Sequence, residues 1–97
     1  MSPDWDVVGY VISSDHRTMV LGRLAEGPAT PSRIADDVDL SISHISRALG
    51  TLRERSLVEL LVSEDQKKGR VYGITERGET VWETIEAERM VDSTGDG

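Results

Sequence analysis

The side chains with the clearest capacity for chemistry lie in one run, residues 41–53, which holds hydroxyl, imidazole and guanidinium groups and no acidic residue. An arginine can donate two hydrogen bonds to guanine, and serine, threonine or histidine can reach base edges or phosphate oxygens. This mixture on one helix face suits entry into the major groove of DNA, and a merely solvated helix surface is the alternative. The candidate contact residues of this run are Ser41, Ser43, His44, Ser46, Arg47 and Thr51.

The apolar residues of the same run predict the helix that would present these groups. Successive helical residues are about 100° apart, so the apolar and polar side chains fall on opposite sides. The inward set is Ile45, Ala48, Leu49 and Leu52, and the outward face centres on Ser43, Arg47 and Gly50. A glycine costs about 1 kcal/mol relative to alanine inside a helix. Close approach to DNA and neutral variation explain Gly50 equally well.

A second basic cluster lies in the polar segment of residues 64–70, whose Lys67 and Lys68 are the only lysines of the chain. Together with Arg70 they are close enough in sequence to meet a phosphate backbone. A solvated loop is the alternative, and the two acidic residues at the start of the segment favour it.

A third candidate lies at Thr30, Ser32 and Arg33, where another helix is predicted to begin. Backbone amides at the start of a helix can bind a phosphate, and Arg33 would lie beside them. Plain capping of the helix by Thr30 is an equally good interpretation.

Five helices and one hairpin would position these groups. Residues 5–12 have helical apolar spacing, although the β-branched pair Val11-Ile12 leaves a strand possible. Cap residues, prolines and glycines predict the later helices to begin at Ser13-Ser14-Asp15, Thr30-Pro31, Ser41 and Thr75, with ends at Gly27-Pro28 and about Val38. The short turn Asp39-Leu40 between two of them is typical of a helix-turn-helix. Residues 57–63 and 71–75 predict the two strands of a hairpin.

The length of 97 residues allows one domain, predicted over residues 1–91, followed by a frayed polar tail at 92–97. The predicted fold class is mainly α with a small β-hairpin, that is, α+β. The chain has no apolar run long enough for a membrane span and no basic leader segment, so a cytoplasmic location is expected. The polar groups lie on helix faces and at a hairpin tip rather than in a pocket, so an enzyme is not expected.

Metal and redox chemistry are poorly supported by the composition. The absence of cysteine excludes a disulfide framework, a thiolate metal site and a thiol nucleophile. Only His16 and His44 remain as nitrogen ligands, which are too few for a zinc site. We therefore expect no metal and no cofactor.

The net charge of −7 argues against a nucleic-acid partner until its distribution is considered. Residues 1–40 hold seven acids and three bases (−4) and residues 76–97 hold seven acids and two bases (−5). Residues 41–75 hold six bases and four acids, which leaves +2 at the candidate contact residues. The acidic, lysine-poor composition resembles that of proteins from salt-accumulating archaea, with an ordinary acidic protein as the alternative.

Three segments together resemble the winged helix-turn-helix regulators of the MarR and ArsR type. They are residues 30–35, residues 40–58 and residues 69–78, and the resemblance covers about residues 14–85. It implies that the third helix after the N-terminal segment reads the major groove through Ser41, Ser43, His44, Ser46 and Arg47. It also implies a wing that contacts phosphates through Lys67, Lys68 and Arg70. Ser56 stands where the family commonly has glycine, and the metal motifs of ArsR sensors are missing.

The partner expected from this resemblance is double-stranded DNA, bound by a homodimer. The N-terminal apolar residues and the last helix would form the dimer interface, or else complete the core of the monomer. Those N-terminal residues are Trp5, Val8, Val11 and Ile12. The alternative function is a winged helix used for protein contact in the transcription machinery, which the acidic charge favours and the acid-free helix face opposes.

Overall fold

A computed structural model describes the backbone of residues 5–61 and 70–96 and the side chains of residues 5–61 and 70–88. The helices are α1 (Trp5–Ile12), α2 (Asp15–Ala25), α3 (Pro31–Val38), α4 (Ile42–Glu54) and α5 (Glu76–Asp96), and the strands are β1 (Val58–Leu60) and β2 (Tyr72–Ile74). The predicted fold class, mainly α with one small antiparallel hairpin, is confirmed. Within the described ranges, no helix is both long and apolar enough to cross a membrane.

Hydroxyl side chains start four of the five helices, as their sequence positions predicted. In each case the side-chain oxygen accepts a hydrogen bond from the backbone N–H three residues further on. This bond satisfies one of the amides that a helix start leaves without an intrahelical partner. The capping residues are Ser14 for α2, Thr30 for α3, Ser41 for α4 and Thr75 for α5.

The turn between α3 and α4 is tight because Asp39 adopts a left-handed conformation, with φ of 60°. The N–H groups of Asp39 and Leu40 both donate to the carbonyl of Ala35, which closes the C-terminus of α3. Aspartate tolerates this conformation better than most residues. The predicted helix-turn-helix connection at Asp39-Leu40 is therefore confirmed.

The core is mainly aliphatic, with Tyr72 of β2 as its one aromatic member among the buried described residues, and it draws on every helix and both strands. The inward set predicted for α4 is buried, and α2 and α5 contribute Val20, Leu21, Leu24, Val81 and Ile85. In α1, the set of buried residues differs from the set that the apolar spacing predicted to lie together. Val8 and Val11 are buried together with Val7, whereas Trp5 and Ile12 keep 55% and 54% of their surface exposed.

The hairpin pairs β1 with β2 in antiparallel register, with Val58 opposite Ile74 and Leu60 opposite Tyr72. Strand β2 is shorter than the predicted 71–75, and Leu57 and Leu61 of the predicted 57–63 lie outside β1. Residues 62 and 63 and the predicted tip, except for Arg70, lie outside the described residues. Tyr72 also exchanges two backbone hydrogen bonds with Ala29, of 2.9 and 3.0 Å. This single-residue bridge ties the start of the helix-turn-helix to the hairpin.

The connection from α4 to β1 explains how serine replaces the glycine common in the family. Ser56 is left-handed, with φ of 62°, and its N–H donates to the carbonyl of Arg53. The N–H of Leu57 donates to the carbonyl of Leu52, so the two bonds form a Schellman cap. The glycine-type turn is therefore present, at the steric cost that a Cβ brings to a left-handed residue.

The last helix continues further than the sequence pattern suggested. Its backbone is helical to Asp96, although residues 92–97 were predicted as a frayed tail. The division into a domain of residues 1–91 and a tail stays a prediction.

Candidate nucleic-acid interface

Helix α4 presents most of the predicted contact residues to solvent. Its N-cap Ser41 is exposed, and so are Ser43, His44, Ser46 and Arg47. Thr51 is half-buried, and its hydroxyl donates to the carbonyl of Ala48 at 2.9 Å. The structure thus brings five of the six residues together on one accessible surface, which we call the α4 face.

The guanidinium of Arg47 makes no hydrogen bond or ion pair with any residue in the ranges 5–61 and 70–88. Its donors are therefore available to a ligand on the α4 face. A Cβ added to the nearby Gly50 would meet nothing within 4 Å. The packing of the described residues therefore gives no reason for glycine at this position.

His44 is held in place by two neighbours. The hydroxyl oxygen of Ser41 accepts the backbone N–H of His44, and the hydroxyl lies 3.1 Å from Nδ1 of the ring. The hydroxyl and Nδ1 are therefore within hydrogen-bond distance, and the tautomer of the ring decides which of them donates. The ring also stacks on His16 of α2, with centroids 4.3 Å apart and planes tilted by 31°.

The contact with His16 is the part of this surface that sequence reasoning missed. A lone histidine in the first turn of α2 has no periodic or motif signal. It is 28 positions from His44 in the chain, and only the packing of α2 against α4 brings the two rings together.

The contacts at the start of α3 mainly stabilise the fold. Thr30 is half-buried and caps the helix, while Ser32 and Arg33 are exposed. Nε of Arg33 lies 3.5 Å from the Asp37 carboxylate, which Arg23 of α2 contacts at 2.7 Å. The hydrogen bond from Arg23, supported by the charges of both arginines, lowers the pKa of Asp37 below its ordinary value. Asp37 thus links α3 to α2 and offsets part of the Arg33 charge.

The hairpin contributes less to the described surface. Arg70 is exposed, and Lys67 and Lys68 lie outside the described residues.

Two other arginines near α4 contact one aromatic ring. The guanidinium of Arg55, just after α4, lies 4.1 Å from the ring centre of Tyr10, and that of Arg17 lies 3.9 Å from the same ring centre. These cation–π contacts join α1 to α2 and to the end of α4.

Together, a helix-turn-helix, an antiparallel hairpin after its second helix and a helix that packs behind them define the winged helix-turn-helix class. The chain belongs to the family of the HVO_A0261 N-terminal domain, whose family model matches residues 5–94. A comparison with curated proteins finds no match.

Solved structures of similar fold come from MarR-family regulators. SP03579, a MarR family transcription regulator, is 22% identical with a TM-score of 0.78 over 84% of this chain and 54% of its own. NMB1585 from Neisseria meningitidis is 25% identical with a TM-score of 0.70 over 92% and 65%. A ZitR variant from Lactococcus lactis, solved in complex with DNA, is 20% identical with a TM-score of 0.68 over 86% and 58%. The chain therefore spans less than two thirds of the length of each of these three proteins.

The comparisons confirm the predicted MarR-like class and agree with the expectation that the chain is not an enzyme. ZitR is itself described as zinc-responsive. Among the described residues of the present chain, no three His, Asp or Glu side chains are grouped so that they could hold a metal ion.

Proposed function

We propose that the protein is a sequence-specific, double-stranded DNA-binding transcription regulator that inserts α4 into the major groove. The observation that carries this proposal is the α4 face, where a histidine held by its neighbours, three serines and an arginine without a polar partner in the ranges 5–61 and 70–88 form an exposed surface. None of these five residues carries a carboxylate. In a chain of net charge −7, this surface is suited to the negative field of DNA. Arg47 supplies base readout, and the serines contact base edges or phosphates.

The wing and the start of α3 are proposed to hold the duplex by its backbone. Lys67, Lys68 and Arg70 would contact phosphates beside the groove. Thr30, Ser32 and Arg33 have a lesser role, because Arg33 already shares the Asp37 carboxylate. A halophilic source stays a prediction from composition, and molar salt belongs among the conditions tested.

A homodimer is proposed to carry two such helices to successive major grooves, about 34–36 Å apart. The core of the monomer uses Val8 and Val11, so Trp5 and Ile12 remain as the exposed apolar pair of α1. We expect Trp5→Lys/Ile12→Lys to convert a dimer to a monomer in sedimentation equilibrium. Met19→Lys, a change at an exposed apolar residue of α2, is the control. A wild-type monomer at all concentrations would refute this interface.

The function is tested by titrating the protein with the duplex upstream of its own gene and with a scrambled duplex, from low to molar KCl. We expect selective binding that weakens with salt. Lys67→Ala/Lys68→Ala should weaken binding to both duplexes and flatten the plot of log Kobs against log salt by about 0.9 for each phosphate that the variant no longer neutralises. If wild type binds no duplex at any salt concentration, the DNA proposal fails and protein contact becomes the function to pursue.

A further inference from the structure

A small cleft lies beside the α4 face, between the first turn of α2 and one side of α4. Its volume is about 90 Å³, against the roughly 30 Å³ that a water molecule occupies in the liquid. The cleft can therefore admit a group of a few heavy atoms, such as one phosphate. Its lining residues are Ser14, His16, Arg17, His44, Arg47, Ala48 and Thr51.

The chemistry of the lining is unusual for this chain, because its described residues include two arginines and two histidines and no carboxylate. Three other clefts among the described residues are each lined by at least one carboxylate, and the one between Gly22 and Glu86 has four. Asp15, the neighbour of His16 in sequence, lines a different cleft, toward α1 and α5. The cleft is thus suited to an anion in a chain with seven more acids than bases.

Several of the lining groups are already fixed in position. Arg17 donates from Nε to the carbonyl of Tyr10 and from Nη2 to the hydroxyl of Ser13, both at 2.9 Å. The His44 ring is held between Ser41 and His16. Groups that are ordered before binding lose little conformational freedom on binding, so the cleft needs little rearrangement to receive a ligand.

We propose that this cleft binds one phosphate of the DNA backbone beside the major groove, with His16 as a contact residue outside the helix-turn-helix. The inference rests on the proposed function, because α4 brings the duplex to the cleft. His44 and Thr51 lie on the side of α4 that faces α2, next to the outward face that carries Arg47, where the groove edge would run. His16 is then a sequence-independent contact that fixes the register of α4, while Arg47 reads bases.

The test changes the charge at His16 in both directions and measures duplex binding in 0.1 M KCl. We expect His16→Glu to weaken binding to selective and scrambled duplexes alike by at least tenfold. His16→Lys should retain binding and steepen the salt dependence by about 0.9 in log–log slope. Thr80→Glu, at an exposed residue of α5, makes a matched addition of one carboxylate, and we expect it to change affinity less than threefold.

A second measurement identifies the phosphate itself. A series of duplexes is prepared, each with one phosphate of the binding site replaced by an uncharged methylphosphonate. The affinity of each duplex is measured for wild type and for His16→Ala. One substitution at the groove edge should weaken wild type more than it weakens His16→Ala, whose cleft keeps Arg17, His44 and Arg47. Thermal unfolding of each variant at fixed protein concentration shows whether it is folded.

The outcomes separate this proposal from the function on which it rests. If wild type binds DNA and folded His16→Glu behaves like Thr80→Glu, the cleft proposal is wrong and the regulator stands. If His16→Lys and His16→Glu weaken binding equally, His16 is only a structural support for His44, and the proposal also fails. Absence of wild-type binding would overturn both.

Discussion

Replacing Gly78 with alanine should destabilise the folded protein by about 3 kcal/mol, the upper end of the usual cost of overpacking. The new Cβ would overlap the backbone carbonyl oxygen of Leu57 and lie 2.7 Å from Cγ1 of Ile74. That carbonyl cannot easily move, because it already accepts the N–H of Thr75 at 3.0 Å. The free energy of unfolding from urea denaturation at fixed protein concentration measures the effect.

Gly50→Ala is the matched control for Gly78→Ala. It also adds one methyl group to a helical glycine, and here nothing lies within 4 Å of the new atom. We expect it to raise the free energy of unfolding by about 0.5–1 kcal/mol through helix propensity. Equal free energies for the two alanine variants would show that α5 does not approach Leu57 as closely as described.

The largest effect on binding is expected from Arg47→Ala. Loss of a bidentate contact to guanine costs about 1–3 kcal/mol of discrimination, or roughly five- to 150-fold in relative affinity. The affinity for the selective duplex should therefore fall toward that for the scrambled duplex. Because Arg47 is exposed and makes no hydrogen bond, ion pair or ring contact within residues 5–61 and 70–88, the melting temperature should stay within a few degrees.

Arg53→Ala controls for the loss of one positive charge from the same helix. Arg53 is exposed, and six residues of helix place it about 120° around the axis from Arg47. It should lower the affinity for both duplexes slightly and equally through the general electrostatic attraction. If Arg53→Ala reduces selectivity as much as Arg47→Ala, the reading residue has been assigned to the wrong side of α4.

Local signals accounted for most of the helical framework. Hydroxyl caps, Pro31 at the first position of α3 and the stop at Gly27-Pro28 act within a few residues, so they can be recognised without knowing the fold. The α4 face followed from one periodic pattern, and it holds five of the six contact residues predicted in residues 41–53. Thr51 differs because a short hydroxyl side chain near the buried side of a helix can bond to its own backbone.

Features that depend on distant segments could not be predicted in this way. The Ala29–Tyr72 bridge consists of one residue on each side and leaves no alternating pattern. The His16–His44 stack depends on how α2 crosses α4. The apolar set of α1 had helical spacing, yet only the packing of α2 and α5 decides that Val8 and Val11 are buried and Trp5 is not.

Under the proposed function, the two contrasting clefts along α2 would also affect how quickly a duplex is found. The basic cleft lies at the first turn of α2, and the carboxylates of Glu26, Glu79, Glu83 and Glu86 gather around its last turn. Nine residues of helix separate the two by about 13 Å, which exceeds the screening length of about 10 Å in 0.1 M salt. The two groups of opposite charge are therefore too far apart to cancel each other, and in the field of the DNA bound under the proposed function they would turn α4 toward the duplex before contact. We expect this rotation to raise the fraction of productive encounters at low salt and the advantage to disappear in molar salt.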